Sequence, residues 1–194
     1  MLTIGELNPK ITALELTPKY GKFTIEPLER GFGHTLGNAF RRVLLAHIPG
    51  AAVTGVRIDG ALHEFGTLPG VVEDVMEIIL NLKELAVKVS PTSPEAVHEE
   101  RICRLSAAGE TEVIGADVRL PPDVEILNPE LHLAELSDPN ARLELEFWVE
   151  IGKGYRSAEE SDSSGRASGI VPVDALFSPI KRAAYAVEPT RLGH

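Results

Sequence analysis

Six histidines, three closely spaced glycines and one adjacent arginine pair are the residues of this chain whose types and spacing could do chemistry. The histidines are His34, His47, His63, His98, His132 and His194. No two stand four residues apart, the spacing that sets two ligands on one helix face, and none neighbours the single cysteine, Cys103. A metal site is therefore not expected, nor is a cofactor. His34 and the pair His63-Glu64 have the groups for acid–base work, although such residues more often cap turns or pack at boundaries. No Gly-x-Ser-x-Gly elbow is present, so no catalytic residue is expected in the isolated chain.

The glycines Gly31, Gly33 and Gly37 precede and enter an amphipathic segment, as in a loop that cradles phosphate at a helix N-terminus. The spacing fails that test. The third glycine of a dinucleotide fingerprint belongs at position 36, which is Leu36, and a Gly-Lys-Ser/Thr loop is absent. Glycines here instead permit a tight turn and close backbone approach where the chain enters a packed helix. Arg41 and Arg42 follow, about 100° apart on that helix, bordering its apolar stripe. Two readings stand: a solvated pair in the helix's second half, or a charged anchor that grips carboxylates of a protein partner.

These residues must be positioned by the elements around them. Residues 35–46 are predicted to be a helix, with Thr35 as N-cap and Leu36, Ala39, Phe40, Val43, Leu44 and His47 on one stripe. Pro49 and Gly50 stop it. Before it, residues 11–26 read as two short strands around Pro18-Lys19-Tyr20-Gly21. After it, residues 51–68 read as a hairpin that turns at Asp59-Gly60 and returns through residues 62–65. Residues 70–83 read as a second helix. Val71, Val72, Val75, Ile78, Ile79 and Leu82 form its stripe, Glu73, Asp74 and Glu77 face water, and it packs without doing chemistry.

Residues 85–89 are a short strand and 90–100 a proline-bearing connector. From 101 to 151 the pattern is β, with strands expected at 102–105, 113–118, 124–127, 131–136 and 142–151. In the last, Leu143, Leu145, Phe147, Val149 and Ile151 alternate with Arg142, Glu144, Glu146, Trp148 and Glu150. Residues 152–169 are polar and rich in glycine and serine, hence a predicted mobile loop. Ordered structure resumes at 170–176, and 180–187 reads as a further strand. No internal repeat is present.

Of the 194 residues 43% are hydrophobic, with mean hydropathy +0.01, a soluble globular composition. No apolar run reaches the roughly 18 residues that span a bilayer. The start, MLTIGELNPK, lacks the marks of a signal peptide. With one cysteine there is no internal disulfide, so the expected compartment is a reducing cytoplasm, without membrane attachment. The net charge of −10 argues against extensive binding to nucleic-acid phosphates and suits protein partners, while leaving room for a local basic patch.

Four blocks carry a family resemblance: EPLERGFGHTLGNAFRRVLL, LHEFGTLPGVVEDVMEIILNLKEL, DVEILNPELHLAEL and VPVDALFSPIKRAAYAVEPTRLG. In this order they resemble the N-terminal domain of the bacterial RNA polymerase α subunit, over nearly the whole chain from about residue 20. One departure is local: Gly154-Tyr155-Arg156-Ser157-Ala158 stands where the family usually has Gly-Tyr-Val-Pro-Ala.

The resemblance implies an α+β fold of two interleaved parts. One is a dimerisation part from residues 1–50 and 173–194, with a helix on an antiparallel sheet. The other is an inserted β-rich part, residues 51–172, with one helix. It also implies a homodimer that serves as the assembly platform for the β and β′ subunits in transcription and performs no nucleotidyl transfer itself. Carried over by position, Arg41, Arg42 and Leu45, with Lys83, Val173 and Asp174, contact the large subunits. Thr35, Leu36, Ala39, Phe40 and Val43 line the dimer interface. No direct DNA contact is expected from this region.

Family members continue beyond the match to residues 190–193 with a strand, a long helix and a DNA-contacting domain. The chain is thus expected to be a truncated product or fragment with weakened dimerisation, an expectation that a tight dimer at low micromolar concentration would overturn. The alternative is an independent dimeric protein-binding module without polymerase association. A small enzyme using the His34/His63 region would need polar groups that converge in a pocket, and the sequence supplies no such set.

Overall fold

The computed structural model describes residues 8–61, 63–91, 93, 95–162 and 169–189. The fold is α+β, and the chain divides into two compact units. One joins the described residues of 1–45 and 182–194; the other comprises those of 46–181.

In the first unit, β1 (Lys10–Thr17) and β2 (Tyr20–Glu26) form an antiparallel hairpin. The turn is tighter than expected, since Tyr20 and Gly21 already pair with Thr17 and Leu16. A bulge between Ala13 and Glu15 interrupts the ladder. Helix α1 (Phe32–Ala46) begins three residues before Thr35, so Thr35 lies in its first turn and is not its N-cap. The early start has a local cause. Gly31 adopts φ +92°, a left-handed conformation that costs glycine little, and directs the chain into a helix at Phe32.

Gly33 and Gly37, one helical turn apart, serve packing. A Cβ on Gly37 would lie 2.3 Å from the Tyr185 ring, and one on Gly33 2.8 Å from Val187. Arg41 stands one turn further along the same row and donates from Nε to the Ala183 carbonyl at 3.3 Å. This row of two glycines and an arginine is a bed on which the segment around 183–187 rests. That segment is not the strand its pattern predicts, because it lies against α1 and pairs with no neighbouring strand among the described residues.

The second unit is built on a four-stranded antiparallel sheet in the order β11-β3-β9-β5, from β3 (Pro49–Ile58), β5 (Arg101–Ala108), β9 (Arg142–Lys153) and β11 (Val171–Pro172). β9 is central. It pairs with β3 from Pro49↔Lys153 to Ile58↔Leu145, and with β5 from Arg101↔Val149 to Ala108↔Arg142. Of the returning arm expected at 62–65, residue 62 lies outside the described residues, and residues 63–65 do not pair with β3. The chain turns at Gly60 (φ +87°) and makes a further turn in which the Gly66 N–H meets the His63 carbonyl. The strand beside β3 therefore comes from β9, about ninety residues later, whose apolar face completes the core.

Helix α2 (Val75–Lys83) covers that face with Val75, Ile78, Ile79 and Leu82, all buried. It starts at Val75, later than its stripe predicts. Asp74 accepts the Glu77 N–H at 2.7 Å and Glu77 accepts the Asp74 N–H at 3.2 Å, a reciprocal cap that fixes the first turn. Val71 belongs to a bridge with Leu136, and Val72 is 60% exposed. Glu73 does not face water: its carboxylate accepts from the Glu135 N–H and from the His132 ring, each at 2.7 Å.

The smaller strands are β4 (Val87–Val89) with β7 (Val124–Ile126), β6 (Thr111–Ile114) with β8 (His132–Leu136), and β10 (Tyr155–Arg156) with β12 (Ala175–Leu176). Residues 115–118 leave the expected strand for a single 3-10 turn. β10 and a short helix α3 (Ala158–Asp162) give defined structure to part of the predicted mobile loop; residues 163–168 lie outside the described residues. The alternation along β9 also breaks once, because Trp148 is buried on the side expected to be wet.

Arg101 is the buried charge of this unit. It pairs with Asp123 at 2.9 Å and donates to the carbonyls of Ala96 and Glu99, so its guanidinium is neutralised and hydrogen-bonded where it leaves water.

Candidate partner-binding site

In the first unit the predicted interface residues lie along α1, which has no buried residue. Phe40 is 45% and Val43 50% exposed; Thr35 and Ala39 are exposed, and Leu36 is half-buried. β1 is exposed along its whole length, with Ile11, Leu14 and Leu16 open to solvent and Phe23 beside them on β2. An isolated two-stranded hairpin is marginal in water, and these exposed apolar side chains make it a candidate contact surface. Sequence reasoning missed the hairpin's part in this surface, although its apolar residues were the available signal.

Arg41 and Arg42 divide their roles. Arg41 is engaged with Ala183, whereas Arg42 is exposed at the next position, with Leu45 half-buried one residue short of the helix end. Of the two arginines, Arg42 is the one whose whole fork of donors is open to a carboxylate.

In the second unit the fold brings Lys83, at the end of α2, to 3.7 Å from Asp174, and both remain about one-third to two-fifths exposed. Asp174 also accepts the Ala158 N–H at 2.9 Å, which fixes its carboxylate. Val173 departs from expectation: it is buried in the core, and its N–H is bound to the Thr54 carbonyl at 3.1 Å. Its side chain has no face to present to a partner; its part is to hold Asp174 in place. Two residues missed from sequence stand beside this pair. Tyr155 and Leu176 are cross-strand partners on β10 and β12, each more than three-fifths exposed. Desolvation and the neighbouring Asp174 carboxylate push the Tyr155 hydroxyl above its ordinary pKa, so it stays protonated and able to donate.

Arg156 anchors this strand pair. It bonds the Glu150 carboxylate at 2.8 Å and stacks over the Phe177 ring, 5.2 Å from its centroid. Glu150 in turn accepts from the buried Thr54 hydroxyl at 2.6 Å. The chain's departure from the usual Val-Pro sequence thus has a structural role, tying β10 to β9 and β3.

Elsewhere the charged groups serve structure. His132 lies between Glu73 (2.7 Å) and Glu112 (3.0 Å), whose hydrogen bonds raise its pKa against the opposing effect of burial. For Glu73, burial acts upward but is outweighed by the His132 and Glu135 hydrogen bonds, so the net direction is down. Burial, with Asp123 adding to it, pushes the Cys103 thiol up to about 12, which keeps it an un-ionised core residue. Among the described residues no group of three or more His, Cys, Asp or Glu side chains is placed to hold a metal, and no helix is long and apolar enough to cross a membrane.

The fold is α+β, and its candidate contact surfaces are exposed apolar and charged faces. The chain belongs to the RNA polymerase Rpb3/RpoA insert domain family, whose model matches residues 56–178, more than half of the chain. It is 50% identical over 189 residues to a DNA-directed RNA polymerase subunit alpha of Desulforudis audaxviator (strain MP104C), covering 96% of this chain and 58% of that protein. It is 51% identical over 193 residues to the protein of that name in Symbiobacterium thermophilum, covering 98% and 59%. For the one in Alkaliphilus oremlandii the values are 46% over 195 residues, 100% and 59%. The chain therefore spans under three-fifths of the length of these relatives.

Proposed function

We propose that this chain acts as the N-terminal part of a DNA-directed RNA polymerase α subunit, a non-catalytic platform that pairs with a second copy and carries the β and β′ subunits. The observation that carries the reading is the uncovered face of the first unit. A fifteen-residue helix without a buried residue and, in the same unit, a fully exposed strand with three large apolar side chains need a cover. A second copy is the natural cover, through Leu36, Ala39, Phe40 and Val43 with the β1–β2 hairpin. Arg42, with Leu45, offers an open guanidinium at the polar border of that face. Lys83 and Asp174, with Tyr155 and Leu176, form a second contact surface on the other unit. The names of the relatives support assignment to the α subunit.

Capture of purified β and β′ by this chain tests the reading. Wild type is expected to retain the large subunits, and Arg42→Ala to retain at least about tenfold less, the loss of a charge-assisted bidentate contact. Equal capture by both proteins removes Arg42 from the interface, and no capture by either overturns the platform reading.

A further inference from the structure

The outer face of the four-stranded sheet carries an arrangement that the platform reading does not use. Arg57 on β3, Glu146 on β9 and Arg104 on β5 are register partners on adjacent strands. Arg104 in turn faces Arg119 across an antiparallel bridge, with reciprocal backbone hydrogen bonds of 3.1 and 2.7 Å. Four side chains thus form one row in the order Arg, Glu, Arg, Arg, each a strand spacing of about 4.8 Å from the next. The row lines a shallow groove whose rim also holds Asp59, Ser106 and Glu144.

The row already binds one carboxylate. Arg57 reaches Glu146 at 2.5 Å and Arg104 reaches its other oxygen at 2.8 Å. Arg104 remains 65% exposed while doing so, leaving further donors open. Arg119, exposed one strand beyond, has no carboxylate within ion-pair distance among the described residues. Glu146 thus bridges Arg57 and Arg104, while no carboxylate among the described residues bridges Arg104 and Arg119. Along β5, the residue beneath Arg104 on the same face is Ile102, 39% exposed and paired with Trp148.

We propose that the Arg104–Arg119 end of this row binds an acidic segment of a protein partner, seating a carboxylate between the two guanidiniums with a neighbouring apolar side chain against Ile102. Seated there, the carboxylate bridges Arg104 and Arg119 as Glu146 bridges Arg57 and Arg104. A nucleic-acid backbone fits less well, because its continuous charge would run beside Asp59, Glu144 and Glu146 on a chain of net charge −10. The inference stands independently of the α-subunit reading, since it uses neither the α1 face nor the Lys83–Asp174 pair.

Fluorescence anisotropy of the full 194-residue chain with a fluorescein-labelled peptide of alternating Asp and Leu provides the test. The Asp peptide is expected to bind and its Asn counterpart to fail, with affinity falling as salt rises from about 50 to about 300 mM. Arg119→Ala should weaken binding by about tenfold, as for a lost charge-assisted hydrogen bond. Arg142→Ala, an exposed arginine at the start of β9 outside the groove, should leave it unchanged. Circular dichroism and the fluorescence of Trp148, the single tryptophan, confirm that each variant is folded. The proposal is overturned by any of three results: no binding of the Asp peptide, equal weakening by Arg119→Ala and Arg142→Ala, or displacement of the peptide by duplex DNA or inorganic phosphate at lower concentration than by unlabelled peptide.

Discussion

The chemistry of single residues in this protein is mostly the chemistry of keeping charges satisfied. His132 links the entry of α2 to β6 and β8 through two carboxylates, and its effect on stability depends on pH in a definite sense. Because its folded pKa is raised above the ordinary 6.5, its contribution is complete below 6.5 and is lost as pH rises through the folded value. Glu73 is lowered from 4.5, so its contribution is complete above 4.5 and is lost as pH falls through its folded value. The window in which both act fully runs from 4.5 to 6.5. His132→Gln is expected to destabilise the protein by under about 1 kcal/mol near pH 5.5, since the ring is partly exposed, and by less near pH 9. Urea melts at the two pH values check this, and an equal loss at both would contradict it. Arg101→Met should cost about 3 kcal/mol by leaving Asp123 and two carbonyls without their donor, read as a fall in the urea midpoint.

At the scale of elements, packing and capping decide where each helix begins and what it touches. Gly37→Ala places a methyl group within 2.3 Å of the Tyr185 ring, near the base of that side chain, where rotation gives little relief. The expected cost is about 1–3 kcal/mol, with greater protease sensitivity of the segment after residue 182. Gly31→Ala meets no atom but must hold φ +92°, at about 1 kcal/mol, so comparison of the two variants separates steric crowding from backbone strain. Asp74→Ala removes the reciprocal cap of α2 and should cost about 1 kcal/mol by thermal or chemical denaturation. The α2 stripe was legible because Ile78, Ile79 and Leu82 repeat at helical spacing. Its start was not, since Val71 and Val72 continue the pattern while Val71 bridges Leu136 and the Val72 N–H donates to the Glu135 carbonyl on β8.

For the whole molecule, the uncovered face of the first unit predicts association. Val43→Glu places a charge in the middle of the α1 face and should shift the sedimentation coefficient toward that of a monomer, by at least about tenfold in dimer dissociation constant. An unchanged distribution would remove α1 from the contact.

By itself, the sequence determined the elements whose signals are local. The period-two pattern of 142–151 marked β9, the helical stripes of 35–46 and 70–83 marked α1 and α2, and four ordered blocks pointed to the family. Only the tertiary structure decided which strands meet. β3 pairs with a strand about ninety residues away because the apolar face of β9 completes its core, whereas Phe65 stays exposed. The same long-range register buries Val173, brings Lys83 to Asp174, and sets Arg57, Glu146, Arg104 and Arg119 in one row. Periodicity reports which side of an element is apolar. It carries no information about the partner strand or its register, which the packing of the whole core selects.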